Sequence, residues 1–190
     1  AGNAVDNNTI TFAFWQKATY TPGSPPNSSA FWAEAPSAGG QRGAQAHTPW
    51  SNRTIYWDTA GCCGGDTRLT PSGTDISDDN DWHHLAFVKE GNHKEIWVDG
   101  VWKASSDLST ANLLPFSDLM IGCNSGGGDR FRGLIDDFAV WDHALRHEEI
   151  QQLADRTAKP TDFPVPTAPP PPVFTGWVGR DINSPCLLYT

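Results

Sequence analysis

The chain has 190 residues with a net charge of −9 at neutral pH and an isoelectric point near 4.9, a length that suits one large domain or one domain with an arm and is short for two. The acidic balance repels a phosphate backbone or an anionic lipid surface, and no apolar run approaches the roughly 20 residues that span a bilayer, so neither nucleic acid nor membrane insertion is expected. With 18 Gly, 15 Pro, nine Trp and nine Phe against five Glu, the composition is that of turn-rich β structure with little helix.

The chain opens on Ala1 rather than Met, which is read as a processed end. A first strand is predicted over residues 9–15, where Thr9, Ile10, Thr11, Phe12, Ala13, Phe14 and Trp15 alternate. A long loop rich in Gly, Pro and Ser then leads to a strand at residues 54–57. Sequons at Asn7, Asn27 and Asn52 are candidate glycosylation sites, a mild excess over the one and a half or so expected by chance. The four cysteines, Cys62, Cys63, Cys123 and Cys186, form an even set without metal-ligand spacing, which points to disulfides and an oxidising, extracellular setting. Side chains of adjacent residues diverge in extended chain, so the expected bridges join Cys62 or Cys63 to Cys123 and hold Cys186 separately.

The clearest pairing signals lie in the middle of the chain. A strand over residues 82–89 turns at Gly91-Asn92 into a strand over 93–98, and Asp99-Gly100 turns that into a strand over 101–104. Asp-Gly between apolar runs marks a two-residue hairpin, because both turn residues must tolerate positive φ. Two more strands are read at 119–123 and 131–141, separated by Gly126-Gly127-Gly128. A helix is predicted over residues 145–155, with Leu145, Ile150, Leu153 and Ala154 on one face, Glu148 and Glu149 in its early turns, and a seat on the edge of a sandwich. Eight of the 15 prolines lie from Pro160 onward, a composition that favours extended polyproline II. The expected organisation is a sandwich over 1–158, a proline-rich linker over 159–172 and a hydrophobic arm over 173–190 carrying Phe174, Trp177, Val178, Leu187, Leu188 and Tyr189.

Several of these segments together carry a family resemblance. Trp82-His83-His84-Leu85-Ala86-Phe87-Val88, Glu95-Ile96-Trp97-Val98-Asp99-Gly100, Met120-Ile121-Gly122, Gly133-Leu134-Ile135-Asp136-Asp137-Phe138-Ala139-Val140-Trp141 and Ala144-Leu145-Arg146-His147-Glu148-Glu149-Ile150 are similar in order and spacing to the laminin G-like domains of the concanavalin A-like superfamily, in particular its bacterial secreted branch. The resemblance covers about residues 5–157 and none of the arm. It implies an all-β fold, an antiparallel two-sheet jelly roll with one short C-terminal helix, here followed by the extended proline-rich arm. Family function is broad: glycan binding, protein adhesion or a spacer beside an enzyme.

The residues narrow the chemistry. The superfamily's glycosidases resemble one another in a Glu-x-Asp-x-Glu strand whose carboxylates act across the sugar bond, and this sequence has no such triplet. The expectation is therefore that the protein is no enzyme. His83-His84 point to opposite faces of a strand and suit packing better than a shared ion, with one imidazole turned inward. No cofactor is fixed by the sequence, and a structural calcium is the one candidate. Asp75, Ser77, Asp79 and Asp81 alternate in an acidic loop like half of an EF-hand loop, for which a solvated turn is the plainer reading, and the resemblance suggests Asp136 and Asp137 as a second place. For sugar recognition, Trp50, Trp57 and Trp102 lie near loops or hairpin ends where a ring could stack on a sugar, with Arg53, Arg42 or Asn52 to meet its hydroxyls. Trp15, Trp82 and Trp141 fall inside strand motifs and are assigned to the core.

Two functional readings follow. One is a non-catalytic extracellular interaction module that assembles head to tail with copies of itself through the arm, as an array or fibre. The other is a lectin-like carbohydrate-binding module, calcium-dependent or not, working beside a polysaccharide-degrading enzyme. Both place the protein outside the cell or at its surface.

Overall fold

The computed structural model describes residues 8–21, 24–35, 41–72, 76 and 80–163. In chain order the strands are β1 (Thr9–Ala18), β2 (Phe31–Ala35), β3 (Gln41–His47), β4 (Tyr56–Thr59), β5 (Arg68–Leu69), β6 (Trp82–Glu90), β7 (His93–Val98), β8 (Val101–Ser106), β9 (Asp118–Ile121) and β10 (Gly133–Trp141), followed by helix α1 (His147–Ala154). They pair antiparallel into two five-stranded sheets, the first ordered β10-β1-β6-β7-β8 and the second β5-β4-β3-β2-β9. The fold is an all-β sandwich of jelly-roll type with one short helix, as the sequence predicts.

The alternation in β1 places Phe12 and Phe14 on the face toward the second sheet and Ala13 and Trp15 on the outer face. Opposite them in β6 stand Phe87 and Leu85 on the inner face, and Ala86 and His84 on the outer. Between the sheets Phe12 stacks on Phe31 with ring centroids 4.3 Å apart, Phe14 stacks on Phe138 at 5.3 Å, and the Trp57 ring meets Phe12 edge-on at 5.7 Å. Each such side chain contributes about 2–3 kcal/mol by leaving water. Lys89 and Lys94, cross-strand neighbours wholly buried at one end of this core, are retained by carbonyls: Lys94 Nζ donates to Trp57 O and Thr67 O, and Lys89 Nζ to Gly91 O and Ser109 O. Desolvation pulls both ammonium groups down, Lys94 to about 7 and Lys89 to about 8.

The Asp99-Gly100 turn is as expected, with φ of 52° and 71°. Asp99 also fastens the hairpin, accepting the His84 backbone N–H at 2.8 Å and facing His83 Nδ1 at 2.7 Å. His84 is buried, but on the outer face of the sheet beside Trp15 rather than turned into the core between the sheets.

Helix α1 starts at His147 because Arg146 is still extended, and Glu149 accepts the Arg146 backbone N–H at 2.8 Å. Its seat differs from the expected sandwich edge. Ala13, Ala86 and Ala139 leave a shallow bed on the outer face of the first sheet, and Ile150 and Leu153 pack there against Trp97 and Trp141. A row of alanines lets a helix approach a sheet that larger side chains would hold off. Just beyond it Pro160–Asp162 make a 3-10 turn, and Phe163 is buried against the same cluster. Trp141 is buried as assigned, whereas Trp15 and Trp82 are only partly so.

Strands β2, β3 and β5 were not expected from the sequence, which reads as loop there. Ala33, Ala35, Ala44 and Ala46 are wholly buried in them, because the aromatic rings of the first sheet fill the space that larger residues would need. Gly43 belongs to this fit: a Cβ there would lie 2.5 Å from the Phe116 ring and 3.2 Å from Ala33 O. Replacing Gly43 by Ala is expected to cost about 1–3 kcal/mol, read as a lower midpoint in urea with an unchanged slope.

The expected bridge from Cys62 or Cys63 to Cys123 is corrected: Cys62 and Cys63 bond to each other in the β4–β5 turn, and Cys123 has no disulfide partner among the described residues. Cys123 follows β9, so the two sites flank opposite edges of one sheet, four spacings of about 4.8 Å apart, where a bridge reaches only about 7 Å between Cα atoms. Cys186, Asn7, Asp75, Asp79 and the arm residues Phe174, Trp177, Val178, Leu187, Leu188 and Tyr189 lie outside the described residues.

Candidate ligand-binding face

The outer face of the second sheet is built from alternation in sequences that hide it. In β3, Arg42, Gln45 and His47 point outward while Ala44 and Ala46 point in, and in β2 Trp32 points out between Phe31 and Ala33. Register then lines up one rung across all five strands: Arg68 opposite Asp58, Asp58 opposite Gln45, Gln45 opposite Trp32, and Trp32 opposite Met120. A bulge between Ala33 and Glu34 sets the next rung, in which Glu34 faces Arg42 and Asp118.

The charges on this face are locked together. Asp58 is wholly buried and sits between two guanidinium groups, bonded to Arg42 Nη1 and accepting from Arg68 Nε and Nη2 at 2.6 Å each. Those bonds hold the Arg68 guanidinium above its ordinary pKa. Each guanidinium also lies over a ring, Arg42 over Trp32 at 5.3 Å and Arg68 over Tyr56 at 4.2 Å. The result is a rigid row of donors beside aromatic edges.

Next to it the polar pairing is incomplete. Gln45 is wholly buried and donates from Nε2 to Ser29 Oγ at 2.6 Å, but its Oε1 has no partner, and the Nε1–H of the adjacent, buried Trp32 has none either. Buried polar atoms are nearly always paired, so a donor and an acceptor left open on cross-strand neighbours are exceptions on a face that is otherwise bonded. His47 is uncharged, its pKa pulled down to about 4 by burial, with Nδ1 at 2.8 Å from Ser28 O and its ring against Trp50 at 4.3 Å. Asn52 Nδ2 donates to the Tyr56 hydroxyl at 2.7 Å.

The sequence candidates scatter over this geometry. Arg42, Trp50 and Asn52 lie on or beside the face. Trp57 does not: it is wholly buried between the sheets, because its neighbours on β4, Tyr56 and Asp58, take the outward positions. Trp102 is half exposed but belongs to β8, the edge strand of the other sheet. Arg53 is exposed in the β3–β4 loop at a φ of 67°. Trp32, Gln45, His47, Asp58 and Arg68 went unrecognised in the sequence. Asp136 and Asp137 stand at the β1–β10 bulge, exposed, with Asp136 Oδ1 accepting the Asp137 N–H. Among the described residues no three His, Cys, Asp or Glu side chains are grouped to hold a metal ion. None of the described helices is long and apolar enough to cross a membrane.

Comparison with known proteins places the fold in a family. A laminin G family model described as concanavalin A-like lectin/glucanases superfamily matches residues 1–151. Among curated proteins nothing matches. Among solved structures, the chain is similar to a heptameric SAP-like pentraxin from Limulus polyphemus, at 16% identity and a TM-score of 0.58 over 78% of this chain and 70% of that one. It is similar to domain 4 of AbnA, an extracellular GH43 arabinanase from Geobacillus stearothermophilus solved with arabinotriose, at 20% identity and 0.53 over 78% and 67%. It also resembles the binding domain of botulinum neurotoxin serotype D, at 15% identity and 0.54, spanning 82% of this chain but only 41% of the toxin domain. At these identities the likeness is one of fold.

Proposed function

The chain belongs to the concanavalin A-like lectin/glucanases superfamily, and we propose that within it this domain is a non-catalytic, extracellular carbohydrate-binding module that takes a glycan on the outer face of its second sheet. The observation that carries the reading is the open pair, Trp32 Nε1–H and Gln45 Oε1. A sugar hydroxyl is donor and acceptor at once, so hydroxyls admitted here by a small movement of the covering side chains would match both kinds of open group, as a simple anion or cation cannot. Arg42 and Arg68, already fixed by Asp58, offer further donors without having to be ordered on binding, and the partly exposed Trp50 offers a ring on which a sugar's apolar face can stack. The likeness to an arabinanase domain solved with an arabinose oligomer supports the class of ligand, and the missing carboxylate triplet supports binding without hydrolysis.

The test is a glycan array followed by calorimetry on the best ligand. Trp50→Ala, which removes a partly exposed ring, should weaken binding about tenfold, or roughly 1.4 kcal/mol. Trp102→Ala, on the other sheet, should change nothing. Equal loss in both, or no retained glycan, would sink the reading. Calcium enters the same experiment: affinity that survives EDTA removes the metal from the site, and affinity lost with it returns attention to the acidic loop. Assembly through the arm rests on residues 173–190, and truncation after Phe163 separates it from glycan binding, which should remain intact.

A further inference from the structure

A cavity of about 450 Å³ lies on the far side of the molecule, between the outer face of the first sheet and the segment that leaves α1. Trp15, His84 and Trp141 form its sheet side, and Arg156, Lys159 and Pro160 its rim. We propose that it is a second, separate binding site, for a small carboxylate carried on a ring-shaped body.

Volume sets the size of the ligand. Small-molecule sites run from about 300 to 1,000 Å³, and this one has room for one or two rings. Charge sets the sign. Two cations, Arg156 and Lys159, face one carboxylate, Asp137, while His84 stays neutral because burial pulls its pKa down to about 4. The lining is therefore net positive on a protein whose overall charge is −9. Open polar groups set the contacts. His84 and Trp141 are both at least nine-tenths buried, and each has a ring nitrogen without a partner, Nδ1 in His84 and Nε1–H in Trp141. An indole N–H can only donate, so what it lacks is an acceptor such as a carboxylate oxygen.

Arg156 adds an argument from the backbone. It occupies the position just past the helix end at a φ of 56°, with its N–H bonded to Leu153 O. That position favours glycine, and a bulky residue there carries strain that glycine would relieve. Its guanidinium lies 4.3 Å from the Trp15 ring centroid, so the strained residue delivers a cation to the cavity wall and the indole holds it there. A helix stop alone has no need of that arrangement.

The experiment titrates benzoate, glucuronate and uncharged benzyl alcohol into the full chain and follows tryptophan fluorescence and indole N–H resonances. Benzoate or glucuronate should bind and shift the Trp141 indole signal, and whichever binds more tightly says whether the body is an aromatic ring or a sugar acid. Benzyl alcohol should bind at least tenfold more weakly than benzoate. Arg156→Gly should leave thermal stability unchanged or raised while weakening carboxylate binding at least tenfold. Trp50→Ala, on the glycan face, should leave it unaltered, so the two sites fail or stand independently. Benzyl alcohol binding as well as benzoate, Arg156→Gly binding as the parent does, or no shift from either acid would overturn the proposal.

Discussion

Replacing Asp58 by alanine should lower the unfolding free energy by about 3 kcal/mol or more, because removing one partner of a buried ion cluster strands the others. Asp58 is wholly buried while the side chains of Arg42 and Arg68 keep about a fifth of their exposure. Both cations would have to turn to water or stay unpaired beside each other. Burial of the carboxylate alone would be unfavourable, so the sheet tolerates it only with both arginines in place. Asp58→Asn keeps an acceptor but loses the charge, and about half the penalty is expected. Urea midpoints for the three proteins decide the matter. A change below about 0.5 kcal/mol in Asp58→Ala, the level of an ordinary surface substitution, would show that the cluster contributes nothing to the fold. Because Asp58 sets the positions of both guanidinium groups, glycan affinity should fall further than stability alone explains when measured well below the transition.

The first sheet is readable in the amino acids because period and turn chemistry agree there. Apolar alternation in β6 and β7, Asp99-Gly100 between β7 and β8, and the run from Ile135 to Trp141 all point the same way. The second sheet is different. Its central strand, Gln41–His47, holds no large apolar residue, because the rings of Phe12, Phe14 and Phe116 arrive from elsewhere and leave room only for Ala and Gly. Strand formation there is decided by tertiary fit, which local propensity does not register. A period-two signal is nonetheless present: Gln45 and His47 are set against Ala44 and Ala46, and Trp32 against Phe31 and Ala33, while Arg42 faces outward only because a bulge at Gly43 breaks the alternation. Reading small residues as inward-facing would have exposed both the strand and its polar outer face. Trp57 was misassigned for the converse reason, since proximity to a loop says nothing about which side of a strand a ring takes. The adjacent cysteines were misjudged by treating them as extended chain, when Cys63 has a φ of 83° inside a tight turn.

Acidification from pH 7 to pH 5 should remove about 3–4 kcal/mol of stability, with two buried histidines carrying most of it. His47 and His84 have folded pKa values of about 4, each lowered first by burial from the ordinary 6.5. Between those values the unfolded chain binds protons that the folded chain does not, so stability rises with pH across the window and is lost as pH falls through it. At about 1.4 kcal/mol for each pKa unit, each histidine accounts for about 2 kcal/mol by pH 5. Lys94, lowered by burial to about 7, adds a smaller contribution of the same sign. His93 opposes them: its bond to Asp107 raises its pKa, so its share is present in acid and lost as pH rises through the folded value. Chemical denaturation at pH 7, 6 and 5 gives the slope, and the His47→Gln, His84→Gln double variant should flatten it whatever its absolute stability. A parent protein whose stability is level over that range, or a double variant that keeps the full slope, would place the acid sensitivity elsewhere. The two histidines sit on the outer faces of different sheets, one beside Trp50 and one lining the cavity at α1, so protonating either would add charge directly beside a proposed site. In the folded chain both imidazoles stay neutral down to about pH 4, so glycan and carboxylate binding should persist across this window while stability falls, and protonating His84 below it should favour the carboxylate rather than release it.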